Sequence, residues 1–171
     1  MELLLGAGNN REKRITFKEI GTAWYELVTL DIDPDCNPDV LHDMNEIPLP
    51  FDDNTFDEIH AYDVLEHMGF QGDWRFFFNQ FSDFHRILKP GGYFLGMCPS
   101  WNDVWAWADP GHRRIIAPET LIYLSQKEYA IQVGTNAMSD YRHWYKADFD
   151  LIGKQEYDTT WGFVLQAIKD E

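Results

Sequence analysis

The sequence predicts an α/β fold with three layers, a central, mostly parallel sheet and an antiparallel strand at its C-terminal end. Short apolar runs alternate with loops and helical patterns along the chain, which is typical of a sheet flanked by helices. Two late apolar runs, Phe149 to Tyr157 and Trp161 to Ile168, are separated by three polar residues. This pattern predicts a terminal antiparallel hairpin.

Five further apolar runs predict the remaining strands of the sheet. Each run is short, and turn residues or polar residues separate it from the next one. The first run leads directly into a glycine-rich turn. The predicted strands are Leu3 to Leu5, Tyr25 to Ile32, Val40 to His42, Phe56 to Tyr62 and Tyr93 to Cys98.

The clearest predicted helix lies between the fourth and fifth of these strands. Its apolar residues recur at helical spacing and predict a face that packs on the core. The run Lys89-Pro90-Gly91-Gly92 predicts the end of this helix and a turn into the next strand. Further helices are predicted over part of Arg11 to Ala23 and from Pro118 onward. The core-facing residues of the clearest helix are Trp74, Phe77, Phe78, Phe81 and Leu88.

The composition describes one acidic globular domain spanning residues 1–171, since no repeat and no flexible linker divides the chain. The 14 basic and 29 acidic residues give a formal net charge of −15, which disfavours a nucleic-acid partner. No apolar run is long enough to cross a membrane, and the first residues lack the pattern of a signal peptide. The two cysteines, Cys36 and Cys98, form no disulfide framework, so we expect a cytoplasmic protein.

A glycine turn and an acidic residue predict an adenosine-type ligand. Gly6-Ala7-Gly8 follows the first strand and allows a ligand to approach the backbone closely. Asp31 ends the second strand, where a carboxylate can accept hydrogen bonds from both hydroxyls of a ribose. Open α/β sheets bind their ligands at such carboxyl ends of neighbouring strands. Alternatively, the glycines serve only the turn and the carboxylate is a solvated loop group.

Six motifs, in order between Leu3 and Pro99, indicate which adenosine-type ligand to expect. Together they closely resemble the class I S-adenosylmethionine-dependent methyltransferases of type 11. The resemblance implies a Rossmann-like methyltransferase fold, S-adenosylmethionine as cofactor and S-adenosylhomocysteine as product. The motifs are Leu4-Leu5-Gly6-Ala7-Gly8, Leu30-Asp31-Ile32-Asp33-Pro34, Leu49-Pro50-Phe51, Phe56-Asp57-Glu58-Ile59, Val64-Leu65-Glu66-His67 and Leu88-Lys89-Pro90-Gly91-Gly92.

The resemblance implies four residues at the adenosine end of the cofactor. Asp31 would hold the ribose, and Ile32 would lie against the adenine ring. Asp43, in the loop after the third strand, would accept a hydrogen bond from the adenine amino group. Met44 would lie beside the ring. A solvated loop carboxylate is the alternative interpretation of Asp43.

The resemblance also implies residues at the methionine end. The turn Gly6-Ala7-Gly8 would pass under the methionine part of the cofactor, and Ala61 and Tyr62 would lie near the methionine and the sulfonium centre. The family usually has an acidic residue where this chain has Leu4, so the cofactor's amino group must find another carboxylate or backbone carbonyls. The chain begins at the first strand, and the N-terminal helices that often cover the acceptor pocket are therefore expected to be absent.

A tryptophan-rich segment after the fifth strand is the expected place of the acceptor. Trp101, Trp105 and Trp107 could stack on a small-molecule acceptor or form a lid, or they could simply pack the place of the missing cover. Exposed tryptophans at the mouth would also favour a homodimer. The run Asp109 to Arg113 resembles a recurring segment of the family, which makes His112 a candidate site residue.

A general base is the second candidate for catalysis. His67, which follows Glu66 after the fourth strand, could take the acceptor's proton, or it could make only a structural hydrogen bond. Methyl transfer depends mainly on alignment and desolvation, so a dedicated base is not required. No metal is predicted: the acidic run from Asp31 resembles a calcium loop, but Cys36 stands where that loop needs glycine.

Methyl transfer to a small or medium-sized acceptor is the favoured function. The alternative is a protein that binds the cofactor without transferring its methyl group and sequesters it or scaffolds a partner. A nicotinamide dehydrogenase is disfavoured because Arg11 stands where the third glycine of its motif belongs. A DNA amino-methyltransferase is disfavoured by the net charge and by the sequence Tyr62-Asp63-Val64-Leu65, which departs from the motif of that class.

Overall fold

The computed structural model describes residues 1–18 and 20–169, which contain a seven-stranded sheet with the spatial order β3-β2-β1-β4-β5-β7-β6. Neighbouring strands from β3 to β5 are parallel, while β7 runs antiparallel to both β5 and β6. This arrangement confirms the predicted α/β sheet and its terminal hairpin. The strands are β1 (Glu2–Leu5), β2 (Leu27–Asp31), β3 (Val40–Leu41), β4 (Phe56–Tyr62), β5 (Leu88–Pro99), β6 (Phe149–Glu156) and β7 (Thr160–Ala167).

Only one of the helices is long. The described part of the chain contains α1 (Trp74–Ile87), α2 (Trp105–Ala108), α3 (Pro118–Leu121) and α4 (Gln126–Gln132). Short 3-10 turns lie at Pro34–Cys36, Leu65–His67 and Ile122–Leu124. The helix predicted from Pro118 is present but lasts only four residues. Within residues 1–18 and 20–169, no helix is both long and apolar enough to span a membrane.

Helix α1 forms where the apolar periodicity predicts it. Asp73 caps its N-terminus, because the side chain accepts a hydrogen bond of 3.1 Å from the Phe76 backbone N–H. Arg86 lies in the last turn, where its positive charge interacts favourably with the helix dipole. The helix ends at Ile87, where the run Lys89-Pro90-Gly91-Gly92 predicts its end, and this run lies within β5. Gly91 has a φ angle of +74°, so the chain turns locally there instead of continuing as a regular strand. The pairing of β4 with β5 shifts register there, which accommodates the glycines.

One face of the sheet packs against α1 through a large aromatic core. Phe81 and Phe84 of the helix contact Phe94 of β5, whose ring stacks on Phe163 of β7. The Phe163 ring lies so close to Gly96 that an added Cβ would come within 2.1 Å of it. Helices α3 and α4 and the segment before β6 complete this layer. Burial of these rings is the main stabilising contribution of this face.

The opposite face of the sheet is covered by the irregular segment between β1 and β2. The helix predicted over part of Arg11 to Ala23 is wrong for the described residues of that range, which are not helical. Individual side-chain contacts hold the segment on the sheet instead. The Lys13 ammonium forms ion pairs with Glu2 and Glu58, and the Tyr62 hydroxyl accepts hydrogen bonds from the backbone N–H groups of Arg14 and Ile15. These contacts hold the segment in an irregular conformation, and no long helix covers the second face in the described chain. Glu19, within the same range, lies outside the described residues.

Candidate functional site

The turn after β1 has the geometry that the two glycines predict. Gly6 and Gly8 have φ angles of +59° and +50°, which residues with a side chain rarely adopt. A Cβ on Gly6 would lie 2.3 Å from Cγ2 of Val64, so this glycine allows the segment after β4 to approach closely. A Cβ on Gly8 would meet no atom within 4 Å, and Ala7 between them is buried. The turn therefore offers open backbone at Gly8 and a packed contact at Gly6.

Asp31 links the ends of β1 and β2. Its Oδ2 accepts a hydrogen bond of 2.8 Å from the Gly8 backbone N–H, and its Oδ1 accepts one of 2.9 Å from the Asp33 N–H. Each carboxylate oxygen has a second lone pair, so the group can still accept two hydroxyls. The neighbouring Ile32 is 60% exposed. An oriented carboxylate beside an open apolar side chain fits an adenosine-type ligand, with the ribose on Asp31 and the base on Ile32.

The loop after β3 places Asp43 and Met44 differently. Asp43 accepts hydrogen bonds of 2.9 Å from both the backbone N–H and the side-chain amide of Asn45, and these bonds lower the pKa of its carboxyl. The side-chain Oδ1 of Asn45 in turn accepts a hydrogen bond from the Gly69 backbone N–H, which ties this loop to the segment after β4. The Met44 side chain packs into the aromatic core and is almost fully buried. Asp43 thus remains accessible to a ligand, whereas Met44 anchors the loop by packing into the core.

The end of β4 brings Ala61 and Tyr62 to the same edge of the sheet. Ala61 is fully buried. The Tyr62 ring points to the second face, where its hydroxyl lies 2.5 Å from Nδ1 of His60. Burial raises the pKa of Tyr62 to about 12, so the phenol stays neutral and the ring holds the covering segment.

Arg14 and Asp63 form an ion pair at this edge that the sequence analysis does not identify. The Arg14 guanidinium lies 2.6 Å from Oδ2 of Asp63, and it also contacts Sδ of Met97 at the end of β5. Asp63 has a φ angle of +52°, and its Oδ1 is buried with no hydrogen-bond partner among the described residues. Nothing in the spacing of residues 14 and 63 relates them. The only signal in the sequence is that a polar residue directly follows β4 at its carboxyl end.

A third group of polar side chains follows β4. Glu66 is almost fully buried, and burial raises the pKa of its carboxyl to about 8. The rings of His67 and His112 meet edge to face with centroids 4.8 Å apart, and Nε2 of His112 lies 4.0 Å from Oε1 of Glu66. The structure therefore brings together both predicted catalytic histidines, although they lie on different segments. The neighbouring Arg114 is committed elsewhere, since its guanidinium donates to the Leu65 carbonyl and to Gln80.

The tryptophan-rich segment lies on the surface. Trp101, Trp105 and Trp107 are 53%, 61% and 70% exposed, and Nε1 of Trp107 donates to the Trp101 carbonyl. These rings are therefore available to a ligand or partner rather than part of the core. A separate cleft of about 290 Å³ opens between the start of α1 and the segment that contains Arg114. Its walls include Phe70, Trp74, Phe77, Phe78, Ile116 and Tyr141.

The comparison with protein families assigns the chain. Residues 5–96, more than half of the sequence, match the family model described as a methyltransferase domain. The chain belongs to this methyltransferase family. The predicted membership of the class I, type 11-like S-adenosylmethionine-dependent methyltransferases is thereby confirmed, and S-adenosylmethionine is the cofactor of this class. No protein with a curated description matches the chain.

Solved structures share the fold of this methyltransferase chain. A SAM-dependent methyltransferase from Archaeoglobus fulgidus aligns with a TM-score of 0.58 and 16% identity over 96% of this chain and 85% of that one. The N-methyltransferase NodS from Bradyrhizobium japonicum WM9, solved with S-adenosyl-L-homocysteine, aligns with a TM-score of 0.57 and 12% identity over 98% of this chain and 78% of that one. An S-adenosylmethionine-dependent methyltransferase from Mesorhizobium loti aligns with a TM-score of 0.54 and 15% identity over 96% of this chain and 89% of that one. At these identities the likeness concerns the fold.

Within the methyltransferase fold, the residues of this chain fit the cofactor at its adenosine end. The fit rests on the oriented Asp31 carboxylate, the open space at Gly8 and the exposed Ile32. Leu4, at the usual acidic position of the family, is buried on the second face of the sheet and offers no polar group. The Arg14–Asp63 pair places charged groups at the carboxyl end of β4.

Proposed function

We propose that this chain binds S-adenosylmethionine at the carboxyl ends of β1, β2 and β4 and transfers its methyl group to a small or medium-sized acceptor. The observation that carries the proposal is the Asp31 carboxylate, held by the Gly8 N–H at 2.8 Å beside an exposed apolar side chain. The open backbone at Gly8 would give the ligand access, and Gly6 and Ala7 would shape the turn that carries it. Asp43 would border the base, and Met44, whose side chain packs into the core, would hold the loop that carries Asp43 in place.

Asp63 and Arg14 would hold the amino-acid part of the cofactor. The buried Oδ1 of Asp63 has no partner among the described residues and can accept the ammonium group that Leu4 cannot bind. The Arg14 guanidinium, 2.6 Å from Oδ2 of the same residue, can bind the carboxylate. Val64, which follows Asp63, contacts Gly6, so the pair lies next to the glycine turn. Ala61 and Tyr62 complete this side of the site through the end of β4.

The acceptor would enter on the side of His67 and His112. When bound, S-adenosylmethionine supplies a methyl group on a positively charged sulfur, and its transfer leaves S-adenosylhomocysteine. The protein has to align the acceptor with this methyl group and exclude water. The exposed rings of Trp101, Trp105 and Trp107 can stack on a flat or apolar acceptor.

Calorimetric titration with three ligands tests the binding site. S-adenosylmethionine and S-adenosylhomocysteine carry the amino-acid part, whereas 5′-methylthioadenosine keeps the adenosine and lacks it. Asp31→Ala should weaken the binding of all three ligands by about 2 kcal/mol, since a charged hydrogen-bond acceptor for the ribose is lost. Asp63→Asn should weaken the first two by roughly 10-fold and leave 5′-methylthioadenosine unchanged.

The control is Asp35→Asn, an exposed acidic residue of the loop that follows Asp31, which should bind all three ligands like the unchanged protein. Equal affinity of the unchanged protein and Asp31→Ala would contradict the ribose assignment. Equal losses for all three ligands in Asp63→Asn would contradict the proposed contact with the amino-acid part.

Turnover decides between transfer and binding alone. The protein is incubated with S-adenosylmethionine and a panel of small acceptors with oxygen, nitrogen or sulfur nucleophiles, and release of S-adenosylhomocysteine is measured. Release that depends on one acceptor supports the proposal. Micromolar binding of the cofactor without release for any acceptor would favour the alternative function, a protein that binds the cofactor without transferring its methyl group.

A further inference from the structure

Three side chains with metal-ligating atoms converge directly after β4. One potential ligand atom each from Glu66, His67 and His112 lies within 4.8 Å of the others. Two of these residues belong to the 3-10 turn Leu65–His67, and the third comes from the loop after α2. The two segments are held together by backbone hydrogen bonds from the N–H groups of Arg113 and Arg114 to the Glu66 carbonyl. The backbone therefore fixes the relative positions of the three side chains.

Glu66 is the unusual member of this cluster. Both of its carboxylate oxygens are buried, and neither has a hydrogen-bond partner among the described residues. A buried carboxylate without partners is costly, because it loses its hydration and gains nothing in exchange. A bound cation would supply the missing partner for these two oxygens.

The two histidines are oriented as metal-ligating histidines usually are. Nδ1 of His67 lies 3.1 Å from the Gly111 carbonyl oxygen, and Nδ1 of His112 lies 3.3 Å from that of Ala106. A carbonyl can only accept, so each Nδ1 carries a proton, and in the neutral imidazole the lone pair is on Nε2. Such a hydrogen bond from the second ring nitrogen fixes the orientation of a ligating imidazole.

We propose that Glu66, His67 and His112 bind one divalent transition-metal ion. Two imidazole nitrogens and one carboxylate suit zinc, cobalt, nickel, manganese or iron better than magnesium or calcium, which prefer oxygen ligands alone. Oδ2 of Asp109 lies 3.9 Å from Nε2 of His112 and is available as a fourth ligand. Three protein ligands leave further coordination positions open.

The position of the site gives the metal access from solvent and places it close to the glycine turn. His67 is exposed, so an ion can reach the buried carboxylate from that side. The backbone N–H of His67 donates a hydrogen bond to the backbone carbonyl of Val64, and the Val64 side chain contacts Gly6. The assignment does not require that the chain transfers methyl groups. The sequence does not indicate this site because His112 is far from the other two ligands along the chain.

Cobalt binding tests the site in the complete protein. After treatment with a chelator, the protein is titrated with Co²⁺, followed by visible absorption, and separately with Zn²⁺ by calorimetry. We expect one ion per chain, with cobalt bands that report imidazole and carboxylate ligands. Glu66→Gln, His67→Gln and His112→Gln should each lower the affinity by at least about 10-fold, the size of loss seen even for residues that only support metal ligands.

The matched control is His143→Gln, an exposed histidine outside the cluster, which should bind the ions like the unchanged protein. Melting temperatures without metal show whether each variant folds, and the exposed His67→Gln is the variant least affected by packing. Absence of binding by the unchanged protein up to millimolar Co²⁺ and Zn²⁺ would overturn the proposal. Unchanged affinity in the folded Glu66→Gln and His67→Gln variants would overturn it as well.

Asp31→Ala separates this inference from the proposed function. This variant should bind Co²⁺ normally while losing affinity for S-adenosylhomocysteine. Conversely, Glu66→Gln should lose the metal and keep the affinity for 5′-methylthioadenosine. If only metal binding fails, the proposed cofactor site is not contradicted. If only cofactor binding fails, the proposed metal site is not contradicted.

Discussion

The two faces of the sheet are stabilised in different ways. The face under α1 is packed almost entirely by aromatic and aliphatic side chains, including Phe81, Phe84, Phe94 and Phe163. The face under the segment between β1 and β2 carries a smaller apolar cluster and, beside it, a network of charged and polar side chains. The members of this network are Glu2, Lys13, Glu58, His60 and Tyr62.

This difference has a physical reason. A long helix presents a continuous apolar stripe, so the strand residues beneath it can all be apolar. An irregular segment cannot pair its own backbone groups and needs partners for them on the sheet. Tyr62 provides such a partner for the N–H groups of Arg14 and Ile15, and Glu2 provides one for the N–H of Tyr25. Polar strand residues on this face are therefore a consequence of the missing helix.

The largest effect is expected on the aromatic face. Phe81 is fully buried, and Phe81→Ala removes a ring that contacts Phe77, Phe84 and Phe94. We expect a loss of about 3–5 kcal/mol in the free energy of unfolding, from lost burial and the cavity that remains. Urea unfolding followed by circular dichroism measures it. Tyr25→Ala, an aromatic residue that is 92% exposed, should change the value by less than about 0.5 kcal/mol.

A smaller loss is expected from breaking the polar network. The Lys13 ammonium lies 2.6 Å from Oε1 of Glu2 and 2.7 Å from Oε2 of Glu58, and its side chain is buried. Lys13→Met keeps the length of the side chain and leaves both carboxylates without this cation. Both carboxylates keep other partners, Tyr25 and His60, so we expect a loss of about 2–3 kcal/mol, below the usual cost of opening a buried pair.

A triple variant sharpens this comparison. Combining Lys13→Met with Glu2→Gln and Glu58→Gln removes the charges together, and most of the stability should return because no carboxylate is left buried without its cation. The triple variant could instead be less stable than Lys13→Met by the sum of the losses that Glu2→Gln and Glu58→Gln cause alone. The three residues would then act independently, and the face would not be stabilised as a network. The same urea unfolding measures both variants.

The sequence predicts the helix-covered face well and the other face poorly. The periodicity of Phe77, Phe78 and Phe81 defines α1 because a helix leaves a repeating signal in the sequence. An irregular segment leaves no such signal, and its contacts join residues that are distant along the chain, such as Lys13 and Glu58. The incorrect helix over Arg11 to Ala23 has this origin.

The same distinction applies to the candidate site. Gly6, Gly8 and Asp31 follow from local motifs, and in the structure a hydrogen bond joins the Gly8 N–H to the Asp31 carboxylate. The pairing of Arg14 with Asp63, and that of His112 with Glu66, depends on how two loops approach the end of β4. Motifs therefore predict the glycine turn and Asp31, whereas the Arg14–Asp63 pair and the contact between Glu66 and His112 become apparent only in the structure.

The smallest expected effect is the response of the polar face to acid. Burial tends to raise the pKa of Glu58, but its contacts with His60 and Lys13 outweigh burial and lower it to about 2. Burial also lowers the pKa of His60 despite its contact with Glu58, and Glu2 is the other carboxylate bound to Lys13. An unfolded glutamate titrates near pH 4.5, so between about pH 4.5 and 2 the unfolded chain binds more protons at this position. The stabilisation by Glu58 is therefore complete above pH 4.5 and is lost as the pH falls through that window. The free energy of unfolding should change by at most about 1.4 kcal/mol per pH unit, and by less because water screens a partly exposed carboxylate.

Urea unfolding between pH 6 and 3 measures this dependence. The decline in stability with falling pH should be shallower in Glu58→Gln than in the unchanged protein. The control Glu156→Gln replaces an exposed carboxylate on β6 and should keep the original slope. Identical slopes for all three proteins would mean that the second face derives its stability from its apolar cluster and not from the charges beside it.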